Sequence, residues 1–171
     1  MTETTRIPQA EDFMTRHVQT VGPEDSLADV ANMLITHKLS NVPVVVEEES
    51  SGRKSLVGIV SEQDCLEHLS NELFHGRTEQ AKCAKHIMTV HPVCVSPQTD
   101  LFALTSIFVS HGYRHLPVVD QQFLLGIVSR RDILRAIDAY YREWVIKTDM
   151  EHFPPDFSEI MNLRYLPKSL S

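Results

Sequence analysis

The sequence predicts an α+β fold (α/β-like in its alternation) made of two copies of one half-size unit packed with pseudo-two-fold symmetry. Residues 58–64 read Gly-Ile-Val-Ser-Glu-Gln-Asp, and residues 126–132 read Gly-Ile-Val-Ser-Arg-Arg-Asp. Upstream of both, Met14-Thr15 and Met88-Thr89, Val21 and Val95, Pro23 and Pro97, Leu27 and Leu101, and His37 and His111 coincide at one constant offset, as do Val42-Pro43-Val44-Val45 and Leu116-Pro117-Val118-Val119. A repeat of this length decides the architecture before any single residue is interpreted. One such half-size unit cannot bury both faces of its small sheet alone, and two copies together can.

The elements follow in order within each copy. A short extended segment, Val18–Val21 or Val93–Ser96, comes first. Ser26 and Asp29 then form a capping-box-like helix start, and Leu27, Val30, Ala31 and Leu34 recur behind it at helical spacing. Asp100 caps the matching helix, with Leu101, Leu104, Ile107 and Phe108 inside. The β-branched runs at Val42–Val46 and Leu116–Asp120 read as buried strands. The stretch from Pro43 to Gly58 is six residues longer than that from Pro117 to Gly126. The extra length lies in the polar, glycine-containing segment 47–55, a longer hairpin loop. Second strands at Leu56–Val60 and Phe123–Val128 lead into second helices that start at Ser61 and Ser129. In the later helix Ile133, Ile137, Tyr140, Tyr141 and Trp144 lie along one side. The boundaries expected are a first unit at 8–72, a linker at 73–83, a second unit at 84–145 and a tail at 146–171.

Composition narrows the class. With 171 residues the chain suffices for one domain or two small halves sharing a core, and 42% hydrophobic with 23% charged residues is ordinary for a globular protein. A net charge of -7 argues against nucleic acid and anionic membrane as partners. Cys65, Cys83 and Cys94 are odd in number and form no C-x-x-C, so neither a disulfide framework nor a zinc site is suggested. Reduced thiols, an N-terminus without an apolar signal core, and no stretch near ~20 apolar residues lead us to expect a cytoplasmic protein. Cys94 lies in an apolar strand pattern and reads as buried, while Cys65 follows Asp64 closely enough to sit near a ligand.

The chain resembles a tandem pair of cystathionine-β-synthase (CBS) domains, a Bateman module of the stand-alone type. Met14-Thr15 and Met88-Thr89, Val42-Pro43-Val44 and Leu116-Pro117-Val118, and the two Gly-Ile-Val-Ser-x-x-Asp motifs carry the resemblance, which covers roughly residues 8–145. Read from the residues alone, Ser61-x-x-Asp64 and Ser129-x-x-Asp132 are capping boxes that need no ligand. The same helix N-termini could also attract phosphate, and the carboxylates could accept from ribose hydroxyls. The resemblance implies the second role: in CBS domains the Ser or Thr contacts phosphate and the Asp holds the ribose.

The resemblance also implies which positions line the clefts. Asp64 would share one with Thr89, Val93, Tyr113 and Arg114, with His115 beside them. Asp132 would share the other with Thr15, Val18, Leu39 and Ser40. The clefts would be unequal. Glu62 and Gln63 stand between Ser61 and Asp64, where Arg130 and Arg131 stand between Ser129 and Asp132. Arginine forks suit phosphate, and Arg131 is a candidate contact, yet either arginine could equally be a solvated charge on a first helical turn. Tyr113 could stack on a base or fill core.

No catalytic constellation and no metal-ligand pattern stands out among the nine histidines. The expected function is regulatory and not enzymatic. An adenine nucleotide (AMP, ADP or ATP) would act as regulatory ligand with no required cofactor, and an effector protein of unknown identity would read the change. The chain would form a homodimer through helical faces, with Tyr140, Tyr141, Trp144 and Val145 as a candidate interface patch. The alternative is a ligand-free dimerisation or interaction protein. S-adenosylmethionine or single-stranded nucleic acid are further ligands that the family allows, the latter disfavoured by acidity. Pro154-Pro155 breaks any helix continuing from Trp144, and the apolar tail beyond is expected to pack on its own or a partner module, with a short helix at 157–162.

Overall fold

A computed structural model describes residues 6–76 and 82–148. The tail expected to pack on a module, and its short helix, lie outside the described residues. The chain divides into two units, Met1–Ile137 and Asp138–Ser171. In chain order the elements are α1 (Ala10–Phe13), α2 (Leu27–His37), β1 (Asn41–Glu47), β2 (Lys54–Ser61), α3 (Glu62–His75), α4 (Ala84–Ile87), β3 (Thr89–Val90), α5 (Leu101–His111), β4 (His115–Asp120), β5 (Phe123–Ser129) and α6 (Arg130–Thr148).

Local chemistry sets the helix ends. Ser26 Oγ accepts from Asp29 N, and Asp100 Oδ1 accepts from both Phe102 N and Ala103 N at 2.9 Å. These side chains satisfy amide groups that a helix start leaves without partners. α2 and α5 both stop on a left-handed residue, Lys38 and Gly112 respectively. The first hairpin turns through Gly52 at φ +63°, while the second closes on Gln121-Gln122, with Gln121 at φ 58°.

The strands form one mixed-length sheet in the order β1-β2-β5-β4, with β3 added against β2. β1 pairs antiparallel with β2 and β4 with β5, each with a bulge at the same place, Val44/Val45 and Val118/Val119. The extended segments at Val21 and Val95 lie parallel to β1 and β4: Val21 N donates to Pro43 O, and Val95 N to Pro117 O. The carbonyls of Pro43 and Pro117 thus face away from the hairpin partner, so the missing proline N–H costs no hairpin bond. The two hairpins meet where Ser55 pairs with Phe123. There Leu56 N donates to Gln122 O at 2.9 Å, and the Arg53 guanidinium sits 3.5 Å from the Phe123 ring centroid. Each copy therefore adds its hairpin to a shared sheet rather than keeping a separate one.

The copies also exchange their leading segments. α1 precedes the first copy but docks on the second: Ala10 N donates to Thr99 O, Glu11 N to Pro97 O, and Leu101 N to Pro8 O. α4 repeats this on the first copy through Ala84 N to Asp25 O, Lys85 N to Pro23 O, and Leu27 N to Lys82 O. Ala84 and Ile87 complete the core of Leu27, Val30, Leu34, Val42, Val44, Val60 and Cys65.

The exchange explains two repeated residue types. Thr89 pairs with Ile59, and Thr15 with Ile127, so the Met before each Thr lies against a glycine. A Cβ on Gly58 would fall 2.5 Å from Met88 Sδ, and one on Gly126 would fall 2.8 Å from both Met14 Sδ and Thr15 O. Only glycine admits so close an approach.

The second unit holds the later turns of α6. Arg142 Nε donates to Asp138 Oδ2 at 2.9 Å, and the Tyr141 and Trp144 rings stand 6.1 Å apart at 32°.

Candidate functional site: two clefts between the copies

Two clefts open in the first unit, and each takes walls from both copies. The larger, about 780 Å3, is lined by Ser61 and Glu62 at the start of α3, by Thr89 and Val93 from the exchanged segment, and by Tyr113, Arg114 and His115 leading into β4. The smaller, about 230 Å3, is lined by Thr15, Val18, Leu39, Ser40, His115, Ser129 and Asp132. The grouping expected for Asp132 is thus brought together in full.

Asp64 departs from its expected grouping. Thr89, Val93, Tyr113 and Arg114 line the larger cleft without it. Its Oδ2 accepts from Ser61 N at 2.7 Å and from Ser61 Oγ at 2.6 Å, while Asp64 N donates to Ser61 Oγ. Asp132 makes the same closed box with Ser129, at 2.8 and 2.6 Å, yet also reaches the lining of its cleft. Both motifs are complete capping boxes, the role that the residues alone suggested.

Arg131 lies outside both linings and is exposed. Arg130 is turned away from phosphate duty: its Nε donates to Tyr113 O at 2.5 Å and its Nη2 donates to Gly112 O. Tyr113 takes part in the larger cleft while stacking on His111, with centroids 5.6 Å apart and planes at 13°. Tyr113 is half-buried and belongs to the cleft wall, not to the core. Cys94 is exposed, not buried, and its thiol donates to Pro92 O. Only Val95 of this segment pairs into the sheet, through Val118, so the residues before it stay outside the core. Cys65 sits in the first copy's core, away from any cleft wall.

The two clefts share a partition. Ser40, Asn41 and His115 line both, and Ser40 Oγ lies 3.2 Å from His115 Nδ1 across the pseudo-symmetric join. Burial pushes the His115 imidazole below its usual pKa; Asp132 pulls the other way, and the Arg114 and Arg130 charges add to the lowering. A neutral imidazole at this position can donate on one nitrogen and accept on the other. Leu66 lines the larger cleft although the motifs alone did not single it out. Helical spacing carries that signal, since Leu66 stands one turn beyond Glu62 on the same face. Among the described residues no group of three or more His, Cys, Asp or Glu could hold a metal ion, and no helix is long and apolar enough to cross a membrane.

Comparison with known proteins agrees with this architecture. The family model for the CBS domain matches residues 10–71 and 84–139. The solved structure of CBSX2 in complex with AMP is 30% identical, with a TM-score of 0.66, over 78% of this chain and 98% of that one. CBS domain-containing protein YhcV of Bacillus subtilis is 27% identical over 72% of this chain and 81% of its own. The inosine-5'-monophosphate dehydrogenase of Korarchaeum cryptofilum is 33% identical over 80% of this chain. This chain spans only about a quarter of that enzyme, 25% of its length. With two family matches in tandem, a shared sheet and clefts built from both copies, the chain belongs to the CBS domain family as a tandem CBS pair.

Proposed function

We propose that this CBS pair is a regulatory module and not an enzyme. It binds an adenine nucleotide (AMP, ADP or ATP) in the clefts between its copies and relays occupancy to a partner protein. One observation carries the reading. Each cleft sets a Ser-capped helix start from one copy against the Met-Thr segment that precedes the other, so a ligand spanning the cleft bridges both copies. Such a ligand shifts the relation of the copies to the extent that it binds one arrangement more tightly than another. The AMP complex of CBSX2 supports the ligand class. The three described cysteines are free thiols, consistent with a reducing compartment such as the cytoplasm.

We further propose a homodimer formed through paired helical faces. Ile35 and Leu66 in the first copy, and Val109 and Leu134 in the second, stand at equivalent positions and are 76%, 67%, 77% and 68% exposed. Val109 and Leu134 border an apolar groove of about 510 Å3 with Phe108 and Ile133. Apolar side chains repeated in pairs on an open surface mark an interaction face.

Isothermal titration of the folded, nucleotide-free protein with AMP, ADP, ATP, NAD and S-adenosylmethionine tests the ligand reading. Micromolar binding that Arg114→Gln in the larger cleft or Asp132→Ala in the smaller weakens supports it. The complete capping boxes favour the alternative of a ligand-free interaction protein, and absence of heat with every ligand would overturn the nucleotide reading in favour of that alternative.

A further inference from the structure

The two clefts differ in the charge that they offer a ligand. The larger presents both signs: Glu62 and Arg114 lie in its lining, and among the described residues no hydrogen bond or ion pair holds the Arg114 guanidinium. The smaller presents Asp132 and no lysine or arginine.

Its neighbouring cations are held elsewhere. Arg130 is bound to the carbonyls of Gly112 and Tyr113. Arg16 Nη2 donates to Glu11 O at 2.9 Å, and Lys54 Nζ to Thr20 Oγ1 at 3.0 Å. Arg131 is exposed outside the lining. A ribose diol needs a carboxylate acceptor, and a phosphate needs a cation or free amides at a helix start. Glu62 and Arg114 together meet both needs. In the smaller cleft Asp132 meets the first, but Ser129 N, Arg130 N and Asp132 N at the helix start already donate to Asp132 Oδ2, Arg114 O and Ser129 Oγ, and beyond His17 and His115 the lining holds no cationic side chain. Volume agrees, at about 780 Å3 against about 230 Å3.

We propose that the clefts sort adenosine compounds by charge: the Glu62–Arg114 cleft takes the phosphorylated nucleotide, and the Asp132 cleft takes the uncharged nucleoside. This rests on the adenine-ligand reading above. It makes Glu62, which stands where the motif offers no acid in the other copy, the ribose acceptor of the larger cleft in place of Asp64, which lies outside that lining. The module would then report the balance between a nucleotide and its dephosphorylated form.

The test titrates the full chain with AMP and with adenosine, each alone and each in the presence of the other. Saturating AMP should leave adenosine affinity within about twofold, since the ligands occupy different clefts. Arg114→Gln should lower the ratio of AMP to adenosine affinity tenfold or more. Val18→Trp, which fills the smaller cleft without touching a helix cap, should raise that ratio by a similar factor. Mutual displacement of AMP and adenosine at one site, loss of AMP binding in Val18→Trp, or no adenosine binding beside intact AMP binding would each overturn the sorting while leaving nucleotide sensing in place. Failure of both ligands to bind the folded protein would instead remove the adenine reading itself, and the sorting with it.

Discussion

Val30 and Leu104, Leu34 and Phe108, Val42 and Leu116, Val60 and Val128, and Cys65 and Ile133 are equivalent positions in the two copies, and all ten are buried. The substitutions between them change volume but keep apolar character, which cores accommodate by repacking. Around the clefts the equivalences break down chemically. Leu39-Ser40-Asn41 stands where the other copy has Tyr113-Arg114-His115, and Glu62-Gln63 where it has Arg130-Arg131. The same backbone is thus held twice by similar forces while the surfaces between the copies acquire different charge. Symmetry of the scaffold therefore does not extend to the cleft walls, which differ in charge.

The largest effects are expected in the core. Leu104→Ala should cost about 2–5 kcal/mol, and Val30→Ala less because it removes fewer buried atoms. If urea unfolding shows one transition for both variants, the copies fold as one unit, as the exchange of α1 and α4 implies. The glycine contacts come next. Gly126→Ala should destabilise by about 1–3 kcal/mol, because the new methyl meets the Thr15 carbonyl as well as Met14. Gly58→Ala should cost less: its two nearest atoms belong to the flexible Met88 side chain, with Thr89 O at 3.0 Å. Equal shifts in urea midpoint would show that the two junctions yield alike.

The helix caps differ less between the copies. Asp100 satisfies two amides and Ser26 one, so Asp100→Ala should lose about 1 kcal/mol and Ser26→Ala less. The smallest effect is expected from pH. The folded state holds His115 below its ordinary pKa chiefly through burial, so the unfolded chain takes up a proton first as pH falls. Stability that is present above a pH of about 6.5 should therefore decline below it. His115→Asn should flatten that decline in thermal midpoints between neutral and mildly acidic pH, and Asn41→Ala, its counterpart in the first copy, should leave it intact.

Helix starts at Ser26, Ser61, Asp100 and Ser129, the proline-bearing strands and the longer first hairpin could all be inferred from the amino-acid order. Each depends on a residue and its neighbours within a turn or a strand, so periodicity and capping chemistry suffice. The grouping around Asp132 was legible only through the family resemblance, because no local pattern says which segment of one copy faces the Ser-x-x-Asp of the other. The exchanged helices α1 and α4 were not, being four residues long and too short to show a period. The exposure of Cys94 was hidden because alternation cannot tell a strand within a sheet from an extended segment anchored at a single residue.

By itself, then, the sequence determined a duplicated α+β unit with two Ser-x-x-Asp helix starts, because duplication and local capping are written in residue order. Only the tertiary structure decided that the hairpins join through Ser55 and Phe123, that Asp132 lines a cleft while Asp64 does not, and that Arg130 is spent on the Gly112 and Tyr113 carbonyls while Arg114 is not. Those outcomes depend on which side chains distant segments bring within hydrogen-bonding reach, and no local pattern encodes that distance.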